Sequence, residues 1–224
     1  RLETRLGAGA DPAKITAEVR AIIAESYKAH RRVVFNGNGY SEEWHREAER
    51  RGLPRFRSAV DVIPEFASPA AVELFTRHSV FSREEIESRC VIYLEKYLKQ
   101  VNIEAGVMVD MSRRSILPAA IASAEDFARA ASAMASVGAA SSVPELRARK
   151  VAELVAAASE DTERLEKALL AAQDIDEPLA QAKAYRESVV PRMETLRAKV
   201  DALEKQVAKE RWPFPSYEEL LFGL

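Results

Sequence analysis

Residues 145–207 read ELRARKVAELVAAASEDTERLEKALLAAQDIDEPLAQAKAYRESVVPRMETLRAKVDALEKQV, and their spacing decides the fold. Val151, Val155, Ala158, Thr162, Leu165, Leu169 and Ala172 follow in alternating steps of four and three. That alternation keeps one stripe on one face of a helix. Asp174 to Pro178 interrupts it, and Val189, Met193, Leu196, Val200, Leu203 and Val207 resume it. Two heptad seams joined by a short turn predict an antiparallel helical hairpin. Pro191 falls inside the return helix and predicts a kink or break near Ser188.

Working towards the N-terminus, Ser82 and Glu85 have the spacing of a capping box, with Phe81 and Ile86 as its hydrophobic staple. An apolar stripe follows through Ile86, Cys90, Tyr93, Leu94, Tyr97, Val101, Ala105, Met108, Ser112 and Ile116. At ~1.5 Å per residue this predicts a helix roughly 50 Å long, kinked or ended by Pro118. Ser123 restarts a helix that runs to Gly138, and Ser142-Val143-Pro144-Glu145 opens the first arm of the hairpin. Residues 82–224 therefore read as a mainly α helical bundle of about four long helices.

Residues 1–81 read as a mixed helix and loop segment. Asp11-Pro12 starts a helix with Ile15, Val19, Ile22 and Ile23 on one face, and His30-Arg31-Arg32 closes it. Val33-Val34-Phe35 is the one predicted short strand, followed by the turn signal Asn36-Gly37-Asn38-Gly39. Ser41 caps the next helix, which Gly52 and Pro54 end. Residues 53–81 are punctuated by Pro54, Pro64 and Pro69 and read as irregular, apart from a short helix opened by Ser68-Pro69. Arg1 to Leu6 reads as the last turns of a helix stopped by Gly7 and Gly9, so the chain is expected to be a fragment.

Composition narrows the function classes. The chain has 224 residues, 47% hydrophobic and 30% charged, which is ordinary globular composition. Its formal net charge of -2 gives no global reason to bind nucleic acid or an anionic membrane. A lone cysteine, Cys90, excludes an intrachain disulfide and fits a reducing cytoplasm. No apolar run approaches the roughly 20 residues needed to span a bilayer.

Each chemically suggestive group has a plainer reading. His30, His45 and His78 are scattered, without a zinc spacing. His45 with Glu43 and Glu47 could form a metal face, but a solvated helix surface is the better reading. Cys90 lies on an apolar stripe and reads as an inert core thiol. The two glycines at 37 and 39 could let amides converge on a phosphate, but they match no phosphate-loop spacing and read as a turn. Arg46, Arg50, Arg51, Arg55 and Arg57, with Arg31 and Arg32, are interleaved with Glu42, Glu43, Glu47 and Glu49, and read as an ion-paired surface or subunit contact. Asn102, Glu104 and Asp110 read as solvent-facing. No catalytic, cofactor-binding or metal residue is assigned from these patterns.

The C-terminal run Trp212-Pro213-Phe214-Pro215-Ser216-Tyr217-Glu218-Glu219-Leu220-Leu221-Phe222 cannot continue the return helix through its prolines. It is too apolar for a frayed end and is expected to dock on the same chain, around Tyr40 and Trp44.

That tail, together with Val33-Val34-Phe35-Asn36-Gly37-Asn38-Gly39-Tyr40-Ser41-Glu42-Glu43-Trp44, Arg51-Gly52-Leu53, Val80-Phe81-Ser82, Glu87-Ser88-Arg89, Ile103-Glu104-Ala105 and Ile116-Leu117-Pro118-Ala119, resembles the C-terminal region of type III glutamine synthetases. The resemblance implies a parent enzyme that joins ammonia to glutamate with ATP and Mg or Mn. It implies as partners the rest of the catalytic chain and other subunits of a cytoplasmic double-ring homo-oligomer. The family's catalytic residues would precede Arg1, which leaves this segment a structural or oligomer-contact module, inactive by itself. A free-standing helical adaptor that binds a partner helix is the alternative.

Overall fold

The computed structural model describes Arg5 and residues 11–223. The helix end expected at Arg1–Leu6 falls, Arg5 apart, outside them. The chain forms two compact units, Arg1–Arg57 and Ser58–Leu224, and among the described residues it is mainly α with no strand.

In the first unit, α1 (Pro12–His30) starts with proline at its first position and ends in a basic turn, followed by a 3-10 turn at Arg31–Val33. Helix α2 (Glu42–Arg50) is capped by Ser41, whose hydroxyl accepts from the Trp44 amide, and Gly52 ends it at φ +68°. The strand expected at Val33–Phe35 is absent. The Val34 amide donates to the Arg31 carbonyl, and the Val34 and Arg32 carbonyls accept from the Arg51 guanidinium. An extended segment needs a neighbouring strand to satisfy its backbone, and here an arginine side chain supplies those bonds instead.

The second unit opens with α3 (Ala59–Phe66) and α4 (Pro69–Arg77), in the region whose prolines predicted irregular chain. Ser58 and Ser68 cap the two helices. Pro64 lies inside α3, whose Val60 and Ile63 are buried. Ile63, Val72, Ile86 and Cys90 form a small core, closed by the clustered rings of Phe66, Phe75 and Phe81. Ile86 belongs to α5 (Arg83–Met111), whose predicted capping box forms in both directions: Ser82 accepts from the Glu85 amide, and Glu85 accepts from the Ser82 amide.

Helix α5 passes through a π segment at Ser112–Ile116 into α6 (Leu117–Ser136) without a loop. Helix α7 (Ser142–Gln173) and the short α8 (Pro178–Ala184) lead through a second π segment, Tyr185–Val189, into α9 (Val190–Glu204). The two π segments share a cause. Proline lacks an N–H and crowds the carbonyl four residues earlier. For Pro118 that residue is Arg114, and for Pro191 it is Glu187, each at the centre of its π segment. The wider turn moves the bonds outward: the Leu117 amide reaches the Ser112 carbonyl, and the Val190 amide reaches the Tyr185 carbonyl. The break predicted near Ser188 is thus a π turn inside a continuing helix. Ser123, expected to restart a helix, is instead buried in mid-helix.

Both predicted seams line the main core. Val151, Ala158, Thr162, Leu165, Leu169 and Ala172 are buried on α7, and Val189, Leu196, Leu203 and Val207 on the return arm. Val101, Ala105, Val109 and Ile116 close it from α5 and the first π segment. At roughly 1.5–3 kcal/mol per fully buried aliphatic side chain, this shared core is the bundle's main source of cohesion.

Candidate functional site

Helix α2 carries the densest polar constellation of the first unit. Glu47 lies three and four residues before Arg50 and Arg51, so both guanidinium groups reach it. Arg50 grips it with two bonds of 2.7 and 2.6 Å, and Arg51 Nε donates at 2.6 Å. Its bonds with Arg50 first, then Arg51, hold the Glu47 carboxyl down at about 2. Arg51 Nη1 donates to the Val34 carbonyl at 2.8 Å and to the Arg32 carbonyl at 3.2 Å. Its guanidinium carbon lies 5.6 Å from the Trp44 ring, which stacks on Phe35 at 4.4 Å. Arg51 therefore ties α2 to the segment entering the Asn-Gly loop, and Phe35 and Trp44 form its apolar floor.

The loop turns the chain and forms no amide nest. Neither Gly37 nor Gly39 adopts positive φ, the alternation such a nest needs. Asn38 organises the turn: its side chain accepts from the Tyr40 amide, and its carbonyl accepts from the Ser41 hydroxyl. A Cβ at Gly37 would lie 2.6 Å from the Phe35 ring, so a side chain there would have to displace that ring. Arg55 and Arg57 both reach Glu42, in keeping with an ion-paired surface.

The imagined metal face on α2 does not form, because Glu47 already serves two arginines. Among the described residues no three His, Cys, Asp or Glu side chains gather in a way that could hold a metal ion. Nor is any helix there long and apolar enough to cross a membrane. Cys90 is buried, its thiol donates to the Ile63 carbonyl at 3.4 Å, and burial raises its pKa.

In the second unit, Glu104 and Asp110 are exposed as expected and bond Gln100 and Arg114 along their own helix. Asn102 differs. It is half-buried, and its carbonyl oxygen accepts from Gln173 at 2.6 Å and from the Tyr185 hydroxyl at 3.0 Å, joining three helical segments. Burial raises the Tyr185 pKa, which keeps that hydroxyl a donor. Arg113 forks onto Glu166, and Arg186 bonds both Asp61 and Glu187. None of these cross-helix pairs has a sequence signal, because each partner is distant in the chain.

The tail docks, but on the bundle. Trp212 and Phe214 pack edge to face and lie against the main core. They wall a cavity of about 330 Å³ with Met108, Met111, Leu196 and Val200. Arg211 bonds Asp126 of α6 at 2.7 Å. The tail was expected around Tyr40 and Trp44; Trp212 and Phe214 find their packing partners on the bundle of their own unit, and Trp44 finds Phe35 and Arg51 in its own. A final short helix, α10 (Tyr217–Phe222), has its own capping box yet leaves Tyr217, Leu220, Leu221 and Phe222 exposed.

Residues 18–135 match the glutamine synthetase C-terminal domain family. The chain is 32% identical over 221 residues to a glutamine synthetase of Butyrivibrio fibrisolvens and 31% identical over 215 residues to a type-3 glutamine synthetase of Dictyostelium discoideum. It is 28% identical over 207 residues to a glutamine synthetase of Bacteroides fragilis. These alignments cover 94%, 90% and 90% of the chain but 30%, 28% and 28% of the relatives, so the chain spans under a third of the length of the curated relatives it matches. The chain belongs to the glutamine synthetase C-terminal domain family.

Proposed function

We propose that this chain is the helical C-terminal region of a type III glutamine synthetase and acts as its structural and subunit-contact module. In this reading the ATP-dependent ligation of ammonia to glutamate, with its Mg or Mn, belongs to a catalytic region elsewhere in the polypeptide. The observation that carries it is coverage: nearly the whole chain aligns to less than a third of each relative. Exposed apolar side chains support a contact role. Val91, Ile92, Ile103 and Val107 stand out of α5, and Leu220, Leu221 and Phe222 out of α10; apolar surface on this scale is suited to burial against another part of the polypeptide or another subunit. The surrounding assembly would be a cytoplasmic double-ring homo-oligomer.

Grafting tests this reading. The matching region of the Butyrivibrio fibrisolvens enzyme is replaced by this chain, and assembly and γ-glutamyl hydroxamate formation are measured. We expect an assembled, active chimera, and no hydroxamate from the 224-residue chain alone. ATP-dependent hydroxamate formation by the isolated chain would overturn the reading, as would full assembly and activity of the relative with that region deleted.

A further inference from the structure

We propose that the arginine-lined cavity of the first unit binds a phosphorylated small molecule. The cavity has a volume of about 490 Å³ and is lined by Arg31, Arg32, Arg50 and Arg51, together with Tyr27, Val34, Phe35 and Asn36. Ligand pockets typically measure ~300–1,000 Å³, so this one suits a molecule larger than a lone ion. Four guanidinium groups and no carboxylate form its lining. The nearest acid, Glu47, offsets one of them, in a chain whose formal net charge is only -2. The positive charge is therefore local to this cavity.

Two of the four arginines are already fixed. Arg51 uses Nε and Nη1 on Glu47 and two carbonyls, which leaves its Nη2 as a fixed donor. Arg50 is held by Nε and Nη2 on the same carboxylate. Arg31 and Arg32 are exposed and bond no acidic group among the described residues, so all of their side-chain donors are available. A planar fork of N–H donors matches phosphate oxygens and gives charge-assisted bonds. Tyr27 and Phe35 add aromatic wall against which the rest of such a molecule can lie. The placement is a consequence of the fold. The 3-10 turn after α1 brings Arg31 and Arg32 to the end of α2, where Arg51 holds the intervening backbone by its carbonyls.

This inference does not rest on the proposed subunit-contact role. The test titrates the 15N-labelled 224-residue chain with pyrophosphate in 150 mM KCl. Saturable shifts confined to the arginine side chains at 31, 32, 50 and 51 and to the Asn36 amides are expected. The double variant R31Q/R32Q should weaken the affinity by about tenfold or more, the loss of at least one charge-assisted bond. Its thermal midpoint should stay unchanged, since neither side chain anchors the fold. The charge-matched control R149Q/K150Q, at exposed positions of α7, should bind as the parent does. Shifts that grow linearly without saturation, or equal weakening in both double variants, would show nonspecific ion pairing and overturn the proposal.

Discussion

The Ser112 and Thr162 hydroxyls meet at 2.7 Å in the interior of the bundle, both buried, one in the first π segment and one on the core face of α7. Thr162 donates its single hydrogen to the Ala158 carbonyl at 2.7 Å, so Ser112 is the donor in the pair. The π turn that accommodates Pro118 places Ser112 there. A helical irregularity is thereby bound to the middle of the core by a hydrogen bond that has no water to fall back on.

A double-mutant cycle in urea measures that bond. S112A should destabilise by about 1 kcal/mol, because Thr162 keeps its own carbonyl partner. T162V should cost more, roughly 1–3 kcal/mol, since it strands the buried Ser112 hydroxyl. The double variant should cost less than the two singles together. Strict additivity would mean that the hydroxyls do not interact.

Tail residues divide into two groups. Trp212 and Phe214 are half-buried on the main core, whereas Leu220 and Phe222 are 68% and 70% exposed. W212A should lower stability by about 2 kcal/mol, below the range for a fully buried aromatic. Truncation after Ser216 should leave the urea midpoint in place. A midpoint shift from that truncation as large as that of W212A would show that α10 contributes to docking.

Acid should loosen the first unit through Glu47. Its carboxyl, held at about 2 by Arg50 and Arg51, binds a proton more weakly in the folded chain than in the unfolded one, where glutamate titrates near ~4.3. Its stabilising contribution is complete above that unfolded range and is lost as pH falls towards about 2. Trp44 fluorescence in a W212F background should report an acid transition over this window. E47Q should flatten it, and an identical transition in E47Q would assign the effect to another carboxylate.

Cys90 should resist thiol reagents in the folded chain. Desolvation, and then the charge of Glu87, raise its pKa, and its thiol is buried against Ile63. Modification by a disulfide reagent at pH 8 should be slow and should accelerate in urea together with the loss of helix. Rapid labelling in buffer would place Cys90 at the surface.

Sequence alone determined the elements whose signals are local. The seams on α7 and α9, the capping box of Ser82 and Glu85 and the hairpin turn all rest on side chains within a few residues of one another, which one helix brings together whatever surrounds it. Only the tertiary structure decided how those elements are tied. Ser112 and Thr162 are 50 residues apart, Asn102 and Tyr185 83, and Asp61 and Arg186 125. The same holds for the candidate site. The sequence displayed an arginine-rich surface, but Arg51 reaches back 17 residues to the Val34 carbonyl, and that bond helps convert an expected strand into a cavity wall. A backbone segment takes whichever partner completes its hydrogen bonds, and local spacing does not specify a partner that arrives from elsewhere in the chain.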